Sequence, residues 1–272
     1  MKTLIQKCWN GFQQIKTEPF VIQNSIPILW FGDLEAYLKS DLRIVTVGLN
    51  PSNVEFLPTA NKKKNYPYSV DYRFPKAKSL VGKSSLSPKD IQLYEDSMNA
   101  YYTNSINGKT TWYKPWFGNY EVALHAFDAS YISSSNKRTA IHIDLWSPIA
   151  TEKWRDLKDA DKNILQSCAG FTFQELLNKI NPHVIITCMN REFVKQNFNN
   201  SNNVPCEKAN ASFCFEKASH KGQTCAYIRA YHLMNDRVLI WGNSGSSPFS
   251  YQSQSGDISP QMQNIRNIMG LP

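Results

Sequence analysis

Three polar residues, Asn50, Asp144 and Asn243, each stand where an apolar run of β-branched or aromatic residues breaks off. The first break is the sharpest: Ile44, Val45 and Val47 read as a strand buried on both faces and lead into Gly48-Leu49-Asn50-Pro51-Ser52. Such a turn offers backbone N–H groups, one amide side chain and a rigid proline at the carboxyl end of a strand, where open α/β sheets bind ligands. Glycine there lets the backbone pass close to whatever occupies that end. The same letters also fit an ordinary exit from strand to loop. The second run, TAIHIDLWSP, carries Asp144, and the third, Arg237 to Trp241, opens into Gly242-Asn243-Ser244-Gly245-Ser246-Ser247-Pro248. An α/β sheet would gather all three polar groups at one edge, and that convergence weighs more than any one motif.

Other chemistries find little support. Cys8, Cys168, Cys188, Cys206, Cys214 and Cys225 are scattered without a C-x-x-C pair and read as reduced thiols. His142, His183 and His232 have no partner at metal-ligand spacing and read as satisfied core or surface imidazoles. There is no H-x-E motif followed by P-C-x-x-C and no Gly-rich phosphate fingerprint, so neither a metal nor a cofactor is expected.

The elements that would position the three breaks alternate between β and α. Ile5, Trp9, Phe12 and Ile15 recur at helical spacing, and Leu34, Tyr37 and Leu38 suggest a second helix before the opening strand. From Asn53 to Lys83 the periodicity vanishes into Pro, Asn, Tyr and Lys, a stretch that is either functional or a solvated excursion. Its lysines and aromatics match what a nucleic-acid groove uses. Ser87-Pro88-Lys89-Asp90 reads as a capped helix start, and Trp112 to Phe127 as an aromatic helix behind a proline. Further helices are expected over Asp161–Ile180, interrupted near Gly170, over Glu192–Phe198 and over Ile258–Met269. Strands are expected at His183–Cys188 and Arg237–Trp241, with a partly antiparallel pair at Ser212–Phe215 and Cys225–Tyr231. This alternation predicts a mostly parallel sheet covered on both faces.

The 272 residues fit one domain, with 1–42 as a helical packing segment and 53–115 as a long basic and aromatic insertion. No apolar window is long enough to span a membrane and the Met1 region has no signal core, so a soluble cytoplasmic monomer is expected. The net charge of +8 favours a polyanionic partner, although surplus lysine also serves solubility.

GLNPS after an apolar strand resembles the first motif of the uracil-DNA glycosylase superfamily, most closely its mismatch-specific and single-strand-selective branches. The late turn Asn243-Ser244-Gly245-Ser246 is similar to the superfamily's last Ser/Pro/Gly-rich loop, and Phe74-Pro75 with the helix around Trp116-Phe117 looks like its stacking phenylalanine and following helix. Together these motifs span roughly residues 43 to 250, each short and degenerate. The resemblance implies a three-layer α/β/α fold around a central, mostly parallel four-stranded sheet with a small β addition. It implies a monofunctional DNA glycosylase that flips a nucleotide and cuts its N-glycosidic bond with water. Asn50 and Asn243 would then be catalytic, Asn50 orienting the water. Gly48, Leu49, Pro51, Ser52, Phe74 and Asp144 would bind the base, Phe74 by stacking, although Phe56, Tyr66, Tyr68 and Tyr72 compete for that role. Lys62, Lys63, Lys64, Lys76, Ser244, Gly245, Ser246 and Ser247 would meet DNA.

One departure bears on the substrate. The strand-end position held by Asp144 is commonly asparagine in uracil-specific relatives, and an ionised aspartate accepts hydrogen bonds without donating. A cytosine-type base offers an exocyclic amine there, so a bulky or modified cytosine is the expected target, with defence against viruses carrying modified DNA as one setting. A protonated Asp144 would reverse that preference. The alternatives are a uracil or mismatch repair glycosylase, a nucleic-acid-binding protein without catalysis, and a trypsin-like serine protease built on His142 and Ser244.

Overall fold

Runs of β-branched residues with no polar alternation must be covered on both sides, and the strands formed by them are buried at every position. The computed structural model describes residues 1–58, 66–132, 134, 136–170, 173–198, 208–216, 223–233, 236–242, 248–249 and 258–272. In chain order the helices are α1 (Lys2–Ile15), α2 (Leu34–Lys39), α3 (Pro88–Asn99), α4 (Lys114–His125), α5 (Asp159–Cys168), α6 (Phe173–Ile180), α7 (Arg191–Phe198) and α8 (Ser259–Ile268). The strands are β1 (Ile44–Gly48), β2 (Ser105–Ile106), β3 (Lys109–Thr110), β4 (Ala129–Ser130), β5 (Arg138–Thr139), β6 (Ile141–Asp144), β7 (Val184–Thr187), β8 (Lys208–Glu216), β9 (Gln223–His232) and β10 (Val238–Trp241).

The chain divides into two units, each assembled from three stretches: Met1–Glu35, Gly48–Tyr113 and Ile141–Asn181 in the first, Ala36–Val47, Lys114–Ala140 and Pro182–Pro272 in the second.

The second unit holds a mixed sheet in the order β1-β7-β10-β9-β8. β7 runs parallel to β1, with Ile44 opposite Val184, and to β10, with Val238 opposite Val184. β9 turns back antiparallel on β10, and β8 on β9, so the expected antiparallel pair is a full ribbon at one side of three parallel strands. Thr187 Oγ1 donates to Val47 O at 3.0 Å, tying the ends of β7 and β1 by a side chain as well as by the ladder. Arg138, 2 % exposed, grips the Asp41 carboxylate through Nε at 2.7 Å and Nη2 at 2.9 Å, while its Nη1 donates to Phe127 O and Pro272 O.

The first unit has an aromatic core. The α1 stripe Leu4, Ile5, Cys8, Trp9, Phe12 and Ile15 is buried, and Trp9 meets Tyr94 of α3 edge-on at 6.5 Å. Ser87 caps α3 as expected, with Pro88 in its first turn, and Asp90 returns the contact to the Ser87 backbone, making the cap reciprocal. The aperiodic stretch after Asn53 contains 3₁₀ turns at Asn53–Phe56, Val70–Tyr72 and Pro75–Leu80. Its lysines Lys62, Lys63 and Lys64 lie outside the described residues. Cys8, Cys168 and Cys188 are free thiols. Among the described residues no helix is long and apolar enough to cross a membrane.

Candidate functional site

Among the described residues the turn that leaves β1 is fastened through its carbonyl groups. Gly48 O accepts from Leu145 N at 3.0 Å, Leu49 O from Trp146 N at 2.9 Å and Pro51 O from Thr151 N at 3.2 Å, so its carbonyl groups are committed to residues 145–151. The N–H groups of Leu49 and Asn50 have no acceptor among the described residues, and both residues are half-buried. Two adjacent open donors at a strand end suit a carbonyl or an anion. The Asn50 side chain follows the same rule: Nδ2 donates to Pro51 O at 3.0 Å and to Thr151 Oγ1 at 2.8 Å, leaving Oδ1 without a partner among the described residues.

Asp144, the last residue of β6, faces this turn. A Cβ placed on Gly48 would lie 2.5 Å from Asp144 Oδ1 and 2.9 Å from His142 Nε2, so only glycine admits both groups against the backbone here. The Asp144 side chain is 5 % exposed, receives no hydrogen bond from the described residues, and has His142 Nε2 at 3.5 Å from Oδ1. A nearly buried carboxylate in that state has capacity for a donor from outside the protein.

His142 is a core imidazole, one of the two placements expected for it: it is 2 % exposed, with its backbone paired to Phe31 in both directions and Phe31 edge-on to its ring at 5.5 Å, and it is the neighbour of Asp144. The alternation I-H-I-D places residues 142 and 144 on one face of a strand, and that signal was present in the sequence. Its burial, together with parallel strands β1, β7 and β10, does not suit the trypsin-like alternative, which needs two antiparallel barrels.

Phe74 is a correction. Its ring is 0 % exposed, stacked on Phe56 at 5.8 Å and packed by Tyr101 at 5.3 Å and Phe31 at 6.4 Å, so it has no face open to a base. Lys76 is exposed on the Pro75–Leu80 turn, Pro51 is buried, and Ser52 is half-buried in a bridge to Thr151. Asn243, Ser244, Gly245, Ser246 and Ser247 lie outside the described residues.

Two carboxylates near the turn went unnoticed in the sequence. Glu55 is fully buried and accepts from Tyr101 Oη at 2.5 Å, with Arg73 Nε 3.8 Å away. Burial pushes its carboxyl up to about 7, against the pull of Arg73 and of the Tyr101 hydrogen bond, and Asp144 adds to the rise. Burial first, and then Glu55, hold the Tyr101 phenol well above its ordinary range, so it remains a neutral donor. Glu152 accepts from Asn53 Nδ2 on both oxygens at 2.8 Å and from Tyr68 Oη at 2.9 Å. Among the described residues no cluster of His, Cys, Asp and Glu could hold a metal ion. Comparison with known family models, with curated proteins and with solved structures finds no match to this chain.

Proposed function

We propose that the chain is a cytoplasmic, monomeric DNA glycosylase of three-layer α/β/α architecture that hydrolyses the N-glycosidic bond of a modified cytosine. One observation carries the reading. The turn after β1 spends its carbonyls and its side-chain amide protons on the protein, and keeps two N–H groups and one amide oxygen open beside a nearly buried carboxylate.

Each open group then has a task. Departure of a base leaves an oxocarbenium-like sugar that needs only a well-placed water, and Asn50 Oδ1 accepts from that water to aim it. The Leu49 and Asn50 N–H groups bind the base carbonyl on which negative charge develops as the bond breaks. Asp144 accepts from the exocyclic amine, a group that cytosine derivatives carry and uracil lacks. Extrusion of the nucleotide costs a few kcal/mol, which phosphate contacts by a chain of net charge +8 help to offset. Removing ordinary cytosine would destroy the host genome, so the target carries a bulky or modified ring, as in viral DNA protected by base modification.

The test is incubation of wild type and Asn50→Ala with single- and double-stranded oligonucleotides carrying uracil, cytosine or 5-substituted cytosines, with mass analysis of the released base. Release from a substituted cytosine, lost in Asn50→Ala while DNA binding survives, is the expected result. Efficient uracil release with none from any cytosine derivative rejects the substrate assignment in favour of uracil or mismatch repair. No release from any base leaves a nucleic-acid-binding protein.

A further inference from the structure

We infer that Thr151 is a positioning residue that latches the Asn50 amide so that Oδ1, and not Nδ2, is its open atom. The inference rests on the proposed role of Asn50 in orienting water, and it adds a residue that no local motif would reveal.

A side-chain amide can turn over and exchange its oxygen for its nitrogen, and with water as the only partner both orientations would be populated. Here the two are unequal. Thr151 Oγ1 gives its own proton to Glu152 O at 2.7 Å, so towards Asn50 it can only accept, and it does so from Nδ2 at 2.8 Å. Pro51 O, an obligatory acceptor, takes the other Nδ2 proton at 3.0 Å. Turning the amide over would set Oδ1 against two acceptors and lose both hydrogen bonds.

Thr151 can act as a latch because it is itself held. It is 0 % exposed, its N–H donates to Pro51 O at 3.2 Å, and it bridges to Val21 on one side and Ser52 on the other. The next residue extends the hold, because the Glu152 carboxylate accepts from Asn53 and Tyr68. Residues 151 and 152 therefore fix both ends of the Asn50–Asn53 turn, one through a hydroxyl and one through a carboxylate. The hydroxyl is the part that decides which atom of Asn50 meets the water.

Thr151→Val keeps the shape and removes the hydroxyl; Thr151→Ser keeps the hydroxyl. Two readouts are needed. The first is hydrogen–deuterium exchange of the Asn50 side-chain amide by NMR, its signals assigned by their disappearance in Asn50→Asp. Thr151→Val should exchange about five- to tenfold faster than wild type, the scale of one lost hydrogen bond, and Thr151→Ser should match wild type. The second is base release, where Thr151→Val should lower kcat about 10- to 100-fold with little change in KM, and Thr151→Ser should restore it. Unchanged amide exchange in Thr151→Val, or Thr151→Ser behaving like Thr151→Val with its fold intact by circular dichroism, overturns the latch. If wild-type protein frees no base from any oligonucleotide, the glycosylase reading fails, while the exchange measurement still decides the latch.

Discussion

Replacing Glu55 by glutamine should make the protein more stable above neutral pH and leave it nearly unchanged in acid. Glu55 is fully buried, and its carboxyl titrates near 7 in the fold against an ordinary value of 4.5. A carboxyl raised in the folded state is bound to its proton more tightly there than in the unfolded chain. Its favourable contribution is therefore complete below about 4.5 and is lost as pH rises through about 7. The difference between the two titrations corresponds to a loss on the order of 3 kcal/mol by pH 8. Glutamine does not titrate, and its amide oxygen can still accept from Tyr101 Oη. Arg73 faces a neutral group at position 55 in both proteins at low pH, so the residual offset there measures only the exchange of amide for acid. Urea unfolding of both proteins at several pH values between 4.5 and 8.5, followed by tryptophan fluorescence, gives the difference, because titrating groups remote from Glu55 cancel. The Glu55→Gln advantage should grow by about 3 kcal/mol across that range. Parallel profiles, or a wild type that gains on the variant as pH rises, would refute the argument and show that Arg73 holds Glu55 ionised.

Gly48→Ala drives a methyl to within 2.5 Å of Asp144 Oδ1, so it should cost about 1–3 kcal/mol in thermal or urea unfolding and abolish base release by displacing the carboxylate. Gly108→Ala is its control: Asn107 and Gly108 turn the exposed β2–β3 hairpin at φ 52° and 73°, and nothing lies within 4 Å of the new methyl. It should cost only the roughly 1–2 kcal/mol of a left-handed alanine, with base release intact. Phe74→Ala should lower stability by about 3–5 kcal/mol in urea, as a core ring does; a small stability loss with a large loss of activity would restore the stacking role. Arg138→Met should cost about 1–3 kcal/mol, since the Phe127 and Pro272 oxygens lose a donor while the half-exposed Asp41 carboxylate keeps Leu42 N–H and Lys137, and a change under 0.5 kcal/mol would show that water replaces the guanidinium.

The framework of the chain was legible where one rule governs a segment. Ile44–Val47, Val184–Thr187 and Val238–Trp241 are apolar on both faces and became β1, β7 and β10; the Ser87 cap and the α1 stripe followed from local patterns. What lay beyond the sequence was which distant groups meet. Asn50 and Thr151 are 101 residues apart and Glu55 and Tyr101 46 apart, and no periodicity links them. Phe74 failed for the same reason: an aromatic in an aperiodic stretch looks exposed until Phe56, Tyr101 and Phe31 close over it. His142 is different, because the two-residue period of β6 already set it on the same strand face as Asp144, and its burial agrees with the core imidazole expected there. The physical lesson concerns the turn itself. GLNPS announces a polar strand end, but its chemistry is decided by what consumes its hydrogen bonds. Residues 145–151 take the carbonyls of Gly48, Leu49 and Pro51 and one Asn50 amide proton, Pro51 O takes the other, and that consumption leaves the turn a donor of N–H groups and an acceptor through Asn50 Oδ1. A site so divided, with Asp144 accepting beside it, complements a ring that carries both a carbonyl and an amine, and it is this pairing, more than the motif, that directs the choice of substrates to test.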